Sequence, residues 1–215
     1  MKRVLLYMVL CLLTVCSCRP SAKHFSATVD VPVVPVLAFK RTNKIAQLNL
    51  VNHGTMPYTV KSMRVMLKGT HNLSDITKVS VYQKDRELGF IVPETEKSRH
   101  SLTVDLNLPV NTDSLSLDIH ITLKDTIDLS NRIQLEKVTI NTSEGIVTTA
   151  LRSPAVLRVG IALRQKMQDG VHTSRIPGLT TTTKGTLIAL YDVRWERERD
   201  LQGDIDICIN RSTDG

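Results

Sequence analysis

Two arginines and an aspartate stand out in the C-terminal stretch: Arg175 beside an Ile-Pro-Gly turn, then Arg194 and Asp200 on the far side of the apolar run Leu187 to Tyr191. A guanidinium keeps its charge, and its rigid fork matches the two oxygens of a carboxylate. A side-chain carboxyl can exchange a proton with a reacting oxygen. Such a set could hold an acid and do proton chemistry beside it. Each residue also has a plainer reading. Arg-Ile-Pro alone is a surface arginine before a turn, and Glu196, Arg197, Glu198 and Arg199 alternate in sign as a solvated loop does.

Four motifs in one order raise the first reading above the second. They are Arg175-Ile176-Pro177, Tyr191-Asp192-Val193-Arg194, Asp200-Leu201-Gln202 and the closing Arg211-Ser212-Thr213-Asp214-Gly215. Together they resemble the opening of a bacterial exo-α-sialidase catalytic domain, and the chain is similar to the secreted Bacteroidetes sialidases that carry a β-sandwich ahead of a six-bladed propeller. Two departures are visible. Ser174 stands where an aromatic residue usually precedes the arginine, and the sequence closes inside what resembles a first Asp-box, a hairpin device that staples blade strands.

The resemblance implies roles. Arg175 is the first of three arginines that clamp the substrate carboxylate, Arg194 contacts the acidic side and a ring substituent of the sugar, and Asp200 is the general acid and base. Sialidases use a tyrosine nucleophile. A carboxylate attacking beside the substrate's own carboxylate would meet like-charge repulsion, whereas a tyrosine activated by a glutamate would not add a full anion. The resemblance places that tyrosine, its glutamate and the other two clamp arginines beyond Gly215. The partners it implies are sialylated glycans.

No cofactor is expected. Asp200, Asp204 and Asp206 lack the alternating carboxylates and turn glycine of a calcium loop, so no metal site is predicted. The histidines show no ligand spacing, and neither a serine nucleophile elbow nor a P-loop occurs. The formal charge of +7 includes Lys2 and Arg3 and forms no basic stripe, which argues against nucleic-acid binding.

Delivery is written at the other end. Lys2 and Arg3 before the apolar run Val4 to Val15 read as a secretory signal, residues 1–18, too short to span a bilayer. Val15-Cys16-Ser17-Cys18 resembles a lipobox with Cys18 as the lipidated residue. Cleavage after Ser17 by an ordinary signal peptidase is the alternative. Either places the protein in the periplasm, on the outer-membrane surface or outside the cell, and acyl chains would hold it on a membrane rather than across it. Of 4 cysteines, only Cys208 lies outside this leader, so no internal disulfide is expected. Its neighbours Ile205, Ile207 and Ile209 predict a strand interior and a buried, structural thiol.

The elements that must position the site are strands. Leu115, Leu117, Ile119, Ile121 and Leu123 alternate with polar residues, as do Leu102, Val104, Leu106 and Leu108. Further strands are predicted at Ile45 to Val51, Tyr58 to Leu67, Val79 to Gln83, Ile133 to Ile140, Gly145 to Ala150, Leu187 to Val193 and Ile205 to Asn210. The one stretch with helical spacing is near Ile161 to Gln168. An all-β chain follows: a jelly-roll-like β-sandwich over 24–152, a linker over 153–170, and from 171 to 215 the first blade of a β-propeller. A sandwich in this position is carbohydrate-binding by analogy of fold, but Phe25, Phe39, Tyr58, Tyr82 and Phe90 are its aromatics and most are expected in the core. Two readings of the whole stay open, a sialidase or a surface lipoprotein that binds glycans or partners without turnover.

Overall fold

The computed structural model describes residues 24–69, 73–94, 100–152, 156–200 and 203–213. The signal segment with Cys18, and Leu201, Gln202, Asp214 and Gly215 of the motifs, lie outside the described residues. The chain divides into two units between Gly160 and Ile161.

The first unit carries strands β1 (Phe25–Asp30), β2 (Val36–Ala38), β3 (Asn43–Asn52), β4 (Tyr58–Gly69), β5 (Ile76–Gln83), β6 (Arg86–Ile91), β7 (Ser101–Val110), β8 (Ser114–Leu123), β9 (Arg132–Thr142), β10 (Gly145–Thr148), β11 (Ala150–Leu151) and β12 (Val156–Ile161). They form two sheets, ordered β11-β1-β3-β8-β5-β6 and β2-β12-β9-β4-β7, with β10 beside β9. Alternation explains the layering, because every second side chain of a strand points to the same face. Leu115, Leu117, Ile119, Ile121 and Leu123 of β8 are all buried, as are Val60, Met63, Val65 and Leu67 of β4, and both sets join one apolar core. On β7 the pattern is interrupted. Asn107 takes a positive φ of 47°, the pairing with β4 shifts between Val60 and Ser62, and Leu106 and Leu108 are only half-buried.

Buried polar groups tie the strands together where the ladders end. Asn43 accepts the Leu37 backbone N–H and donates to the Leu37 carbonyl, both at 2.9 Å, fastening β2 to β3. The buried Asp75 carboxylate takes Lys124 on one oxygen and Asn131 Nδ2 on the other, the latter at 3.0 Å. A charge that far from water requires such partners.

Three expectations are corrected. The stretch 153–170 contains β12, which continues the sandwich past residue 152 by pairing with β9 from Val156↔Gln134 to Arg158↔Arg132. Residues 161–168 do not form a helix. A single 3-10 turn, Gln168–Gly170, follows, with Met167 and Asp169 at positive φ, which an α-helix cannot accommodate. Of the sandwich aromatics, Tyr58 is buried with Phe25 edge-on at 4.8 Å, but Phe39 and Phe90 are exposed, and Lys78 Nζ lies 4.2 Å over the Phe90 ring.

The second unit is an antiparallel sheet in chain order, β13 (Thr173–Thr181), β14 (Leu187–Arg194) and β15 (Ile205–Ser212). Tyr191 and Val193 are buried within it, whereas Ile205, Ile207 and Ile209 are exposed and Cys208 is half-buried. The alternation on β15 marked a strand, but not a covered apolar face. Among the described residues, no helix is long and apolar enough to cross a membrane.

Candidate functional site

Pairing across β13 and β14 puts Arg175 directly opposite Asp192, and the two-residue period of a strand puts Arg194 on the same face as Asp192. Directly after Arg175 the register breaks: Gly178, not Pro177, faces Leu190, and Ile176 holds a positive φ of 52°. Left-handed backbone is costly for a β-branched residue, more so before a proline. The bulge therefore stores strain at the residue that follows Arg175, a location where strain is associated with functional sites.

The sheet brings all three sequence-predicted residues together. Arg175 Nη1 donates to Asp200 Oδ1 at 3.0 Å, and Arg194 Nη2 donates to the same oxygen at 2.8 Å. Both guanidiniums also donate to the Glu198 carbonyl, from Arg175 Nη1 at 2.9 Å and from Arg194 Nη1 at 2.6 Å. Glu198 and Asp200 are thereby tied to the two arginines. Arg194 is buried, and its charge is met by Asp192, whose Oδ2 accepts from Nε at 3.1 Å and Nη2 at 2.8 Å. Asp192 Oδ1 accepts the backbone N–H of Arg175 at 2.8 Å.

Electrostatics follow from these contacts. The hydrogen bond from Arg194, then the field of Arg175, holds the Asp200 carboxyl below its usual range. Arg194 is pushed further up by its bonds to Asp192 and Asp200. Asp200 is thus an anion sitting in a two-guanidinium receptor. In that state it has no proton to give.

A cavity of about 210 Å³ opens beside Arg175, lined also by Leu163, Arg164, Ser174, Pro177 and Tyr191. Tyr191 is buried, and its hydroxyl donates to Asn210 Oδ1 while accepting from Arg164 Nε at 2.8 Å. It is not available as a nucleophile in this arrangement. Arg164 pairs in turn with Asp169 at 2.7 Å. Asp206 takes the Trp195 indole N–H at 3.0 Å, and Asp204 offers its carbonyl to the Trp195 backbone N–H at 3.2 Å.

Sequence reasoning passed over Asp192 and Arg164. For Asp192 a signal existed: an acid two residues before an arginine on a strand shares its face. For Arg164 there was none, since its bond to Tyr191 comes from a strand 27 residues on.

No protein-family model matches the chain. In sequence it is 32% identical over 99 residues to a sialidase of Bacteroides fragilis (strain YCH46), across 45% of this chain and 18% of that protein. Among solved structures it is similar to the Hadza microbial sialidase Hz136, with a TM-score of 0.67 and 20% identity, over 87% of this chain and 42% of that one. The chain therefore spans less than half the length of either protein. The sequence likeness supports a relationship to sialidases, which are glycoside hydrolases, and the structural likeness places the nearly all-β architecture in a fold that a sialidase also has.

Proposed function

We propose that this chain supplies one wall of the sugar-acid pocket of an exo-α-sialidase, a retaining glycoside hydrolase that releases terminal α-linked sialic acid from glycoproteins, glycolipids and oligosaccharides. The observation that carries the reading is one carboxylate oxygen, Asp200 Oδ1, held by both Arg175 and Arg194. A ligand carboxylate fits the same donors. In this reading the sheet β13–β14–β15 is the first blade of a six-bladed propeller, the sandwich stands ahead of it, and the signal segment exports the protein for anchoring through Cys18.

The geometry suggests how binding prepares the acid. When a substrate carboxylate takes over Arg175, Asp200 loses a cation and gains an anion as neighbour. Both changes raise its pKa, so Asp200 becomes able to carry the proton that a departing glycosidic oxygen needs, and afterwards to take one from water. The tyrosine nucleophile of sialidases is not assigned to any described residue.

Trp195, the single tryptophan of the chain, adjoins the site and reports on it. Sialic acid is expected to change its fluorescence with an affinity on the order of millimolar, since only part of a clamp is engaged. Galactose should leave the signal unchanged, and Arg175→Ala should abolish the response. Equal responses to the acidic and the neutral sugar, or an undiminished response in Arg175→Ala, would remove the reading. The chain by itself is not expected to turn over a fluorogenic sialoside.

A further inference from the structure

We propose that Asp192 is the positioning residue of the arginine pair, the carboxylate that holds both the Arg194 guanidinium and the backbone of Arg175 in place. The proposal deepens the clamp reading and rests on it for its functional meaning. Asp192 uses its two oxygens for two different tasks. Oδ1 accepts the backbone N–H of Arg175 at 2.8 Å, fixing the chain at the last residue before the bulge. Oδ2 receives Nε and Nη2 of Arg194 at 3.1 and 2.8 Å, a fork that leaves the planar guanidinium no freedom to rotate.

The need for such a residue follows from charge. Two guanidiniums that converge on one oxygen repel each other, and Arg194 is buried besides. Asp200 cannot be their permanent counterion, because its side chain is 70% exposed and must be free to leave when a ligand anion arrives. Asp192 is 15% exposed and anchored within β14, so it stays. Arg194 Nη2 donates to both carboxylates and so links Asp192 to Asp200. The action of Asp192 passes through the arginines.

Positioning and bare charge predict opposite signs, which makes the proposal testable on the full chain without any sugar. Asp200 faces Arg175 from β13 and Arg194 from β14, and the charges of its own connection, Glu196 to Arg199, are unchanged in every variant used. Removing a nearby anion lowers a carboxyl pKa. If Asp192 instead holds the arginines in place, Asp192→Asn lets them drift, and the Asp200 midpoint in a carboxyl-carbon NMR titration rises by about half a unit or more. Asp206→Asn removes a neighbouring anion that binds Trp195 rather than an arginine, and should not raise that midpoint.

Asp192→Glu serves as the second variant should the first lose the sheet, as judged by Trp195 emission. It keeps the charge and displaces the carboxylate by a methylene, so positioning again predicts a rise and bare charge predicts none. An unchanged or lowered midpoint in a folded Asp192 variant overturns the proposal. Such a result would leave the sugar-acid reading standing. Failure of sialic acid to bind, conversely, would leave the titration result intact.

Discussion

Arg194 and Asp200 are joined by a 2.8 Å ion pair, yet the arginine side chain is 3% exposed and the aspartate 70%. The two ends of that pair stand in different solvents and differ in worth. A buried cation stripped of its partners costs far more than an exposed anion stripped of its own. Asp192 already offsets Arg194, so Asp200→Asn should leave the stability of the second unit nearly unchanged. Arg194→Met leaves Asp192 half-buried without its cation and should destabilise the second unit clearly more. Denaturant unfolding followed by Trp195 emission gives both numbers, and equal losses would contradict this account.

The pH dependence of the pair has a definite sign. The Asp200 pKa is lowered in the folded chain, first by the hydrogen bond from Arg194 and then by Arg175. A depressed carboxyl pKa contributes stability that is present above the unfolded-state value and is lost as pH falls through the folded-state value. The Asp200 carboxylate should therefore stay paired with both arginines at neutral pH, the pairing opening only below the usual carboxylate range. Arg175→Ala should move that opening upward in pH. Asp200 carboxyl shifts recorded from neutral to acid solution would measure it, and a midpoint at the ordinary aspartate value in the unsubstituted chain would contradict the pairing.

Much of the sandwich could be read from periodicity, because burial on one face leaves a two-residue rhythm in strands such as β8. The rhythm fades where the backbone departs from a plain ladder. Asn107 breaks it on β7, and β12 escaped notice because Arg152, Arg158 and Arg164 gave its surroundings the look of a basic linker, although Leu157 and Val159 are buried. On β15 the rhythm misled in the other direction, since Ile205, Ile207 and Ile209 keep strand spacing and yet are exposed. Residue types singled out Arg175, Arg194 and Asp200, and these three side chains do converge. What spacing could not supply was the register between β13 and β14, which sets Asp192 opposite Arg175.

The closing edge of the sandwich rests on a glycine. At Gly89 of β6 an added Cβ would lie 2.5 Å from the Asp105 carbonyl oxygen and 3.2 Å from Val104 Cγ1, both on β7 in the other sheet. The nearest obstacle is backbone, so it cannot turn aside. Gly89→Ala should destabilise the first unit by about 1–3 kcal/mol. At Gly160 of β12 a Cβ would meet only Pro35 Cβ, at 3.8 Å, so Gly160→Ala should be tolerated. Thermal unfolding of the two variants side by side checks the contrast, and a fully stable Gly89→Ala would show that β6 and β7 can separate without cost.

Tyr58 opens β4 with its ring buried against Phe25, while its hydroxyl is buried with no protein partner among the described residues. Burial raises the phenol pKa, so the group stays neutral and its desolvation is unrepaid. Deleting the oxygen removes that penalty and breaks no protein hydrogen bond. Tyr58→Phe should therefore be neutral or stabilising by up to about 1 kcal/mol, whereas Tyr58→Ala, which empties the ring site, should cost about 3 kcal/mol or more. Urea unfolding of both variants separates the two contributions of this side chain. A loss of more than about 1 kcal/mol in Tyr58→Phe would mean that the hydroxyl has a bonding partner of real strength, such as an ordered water, and that the polar group is satisfied after all.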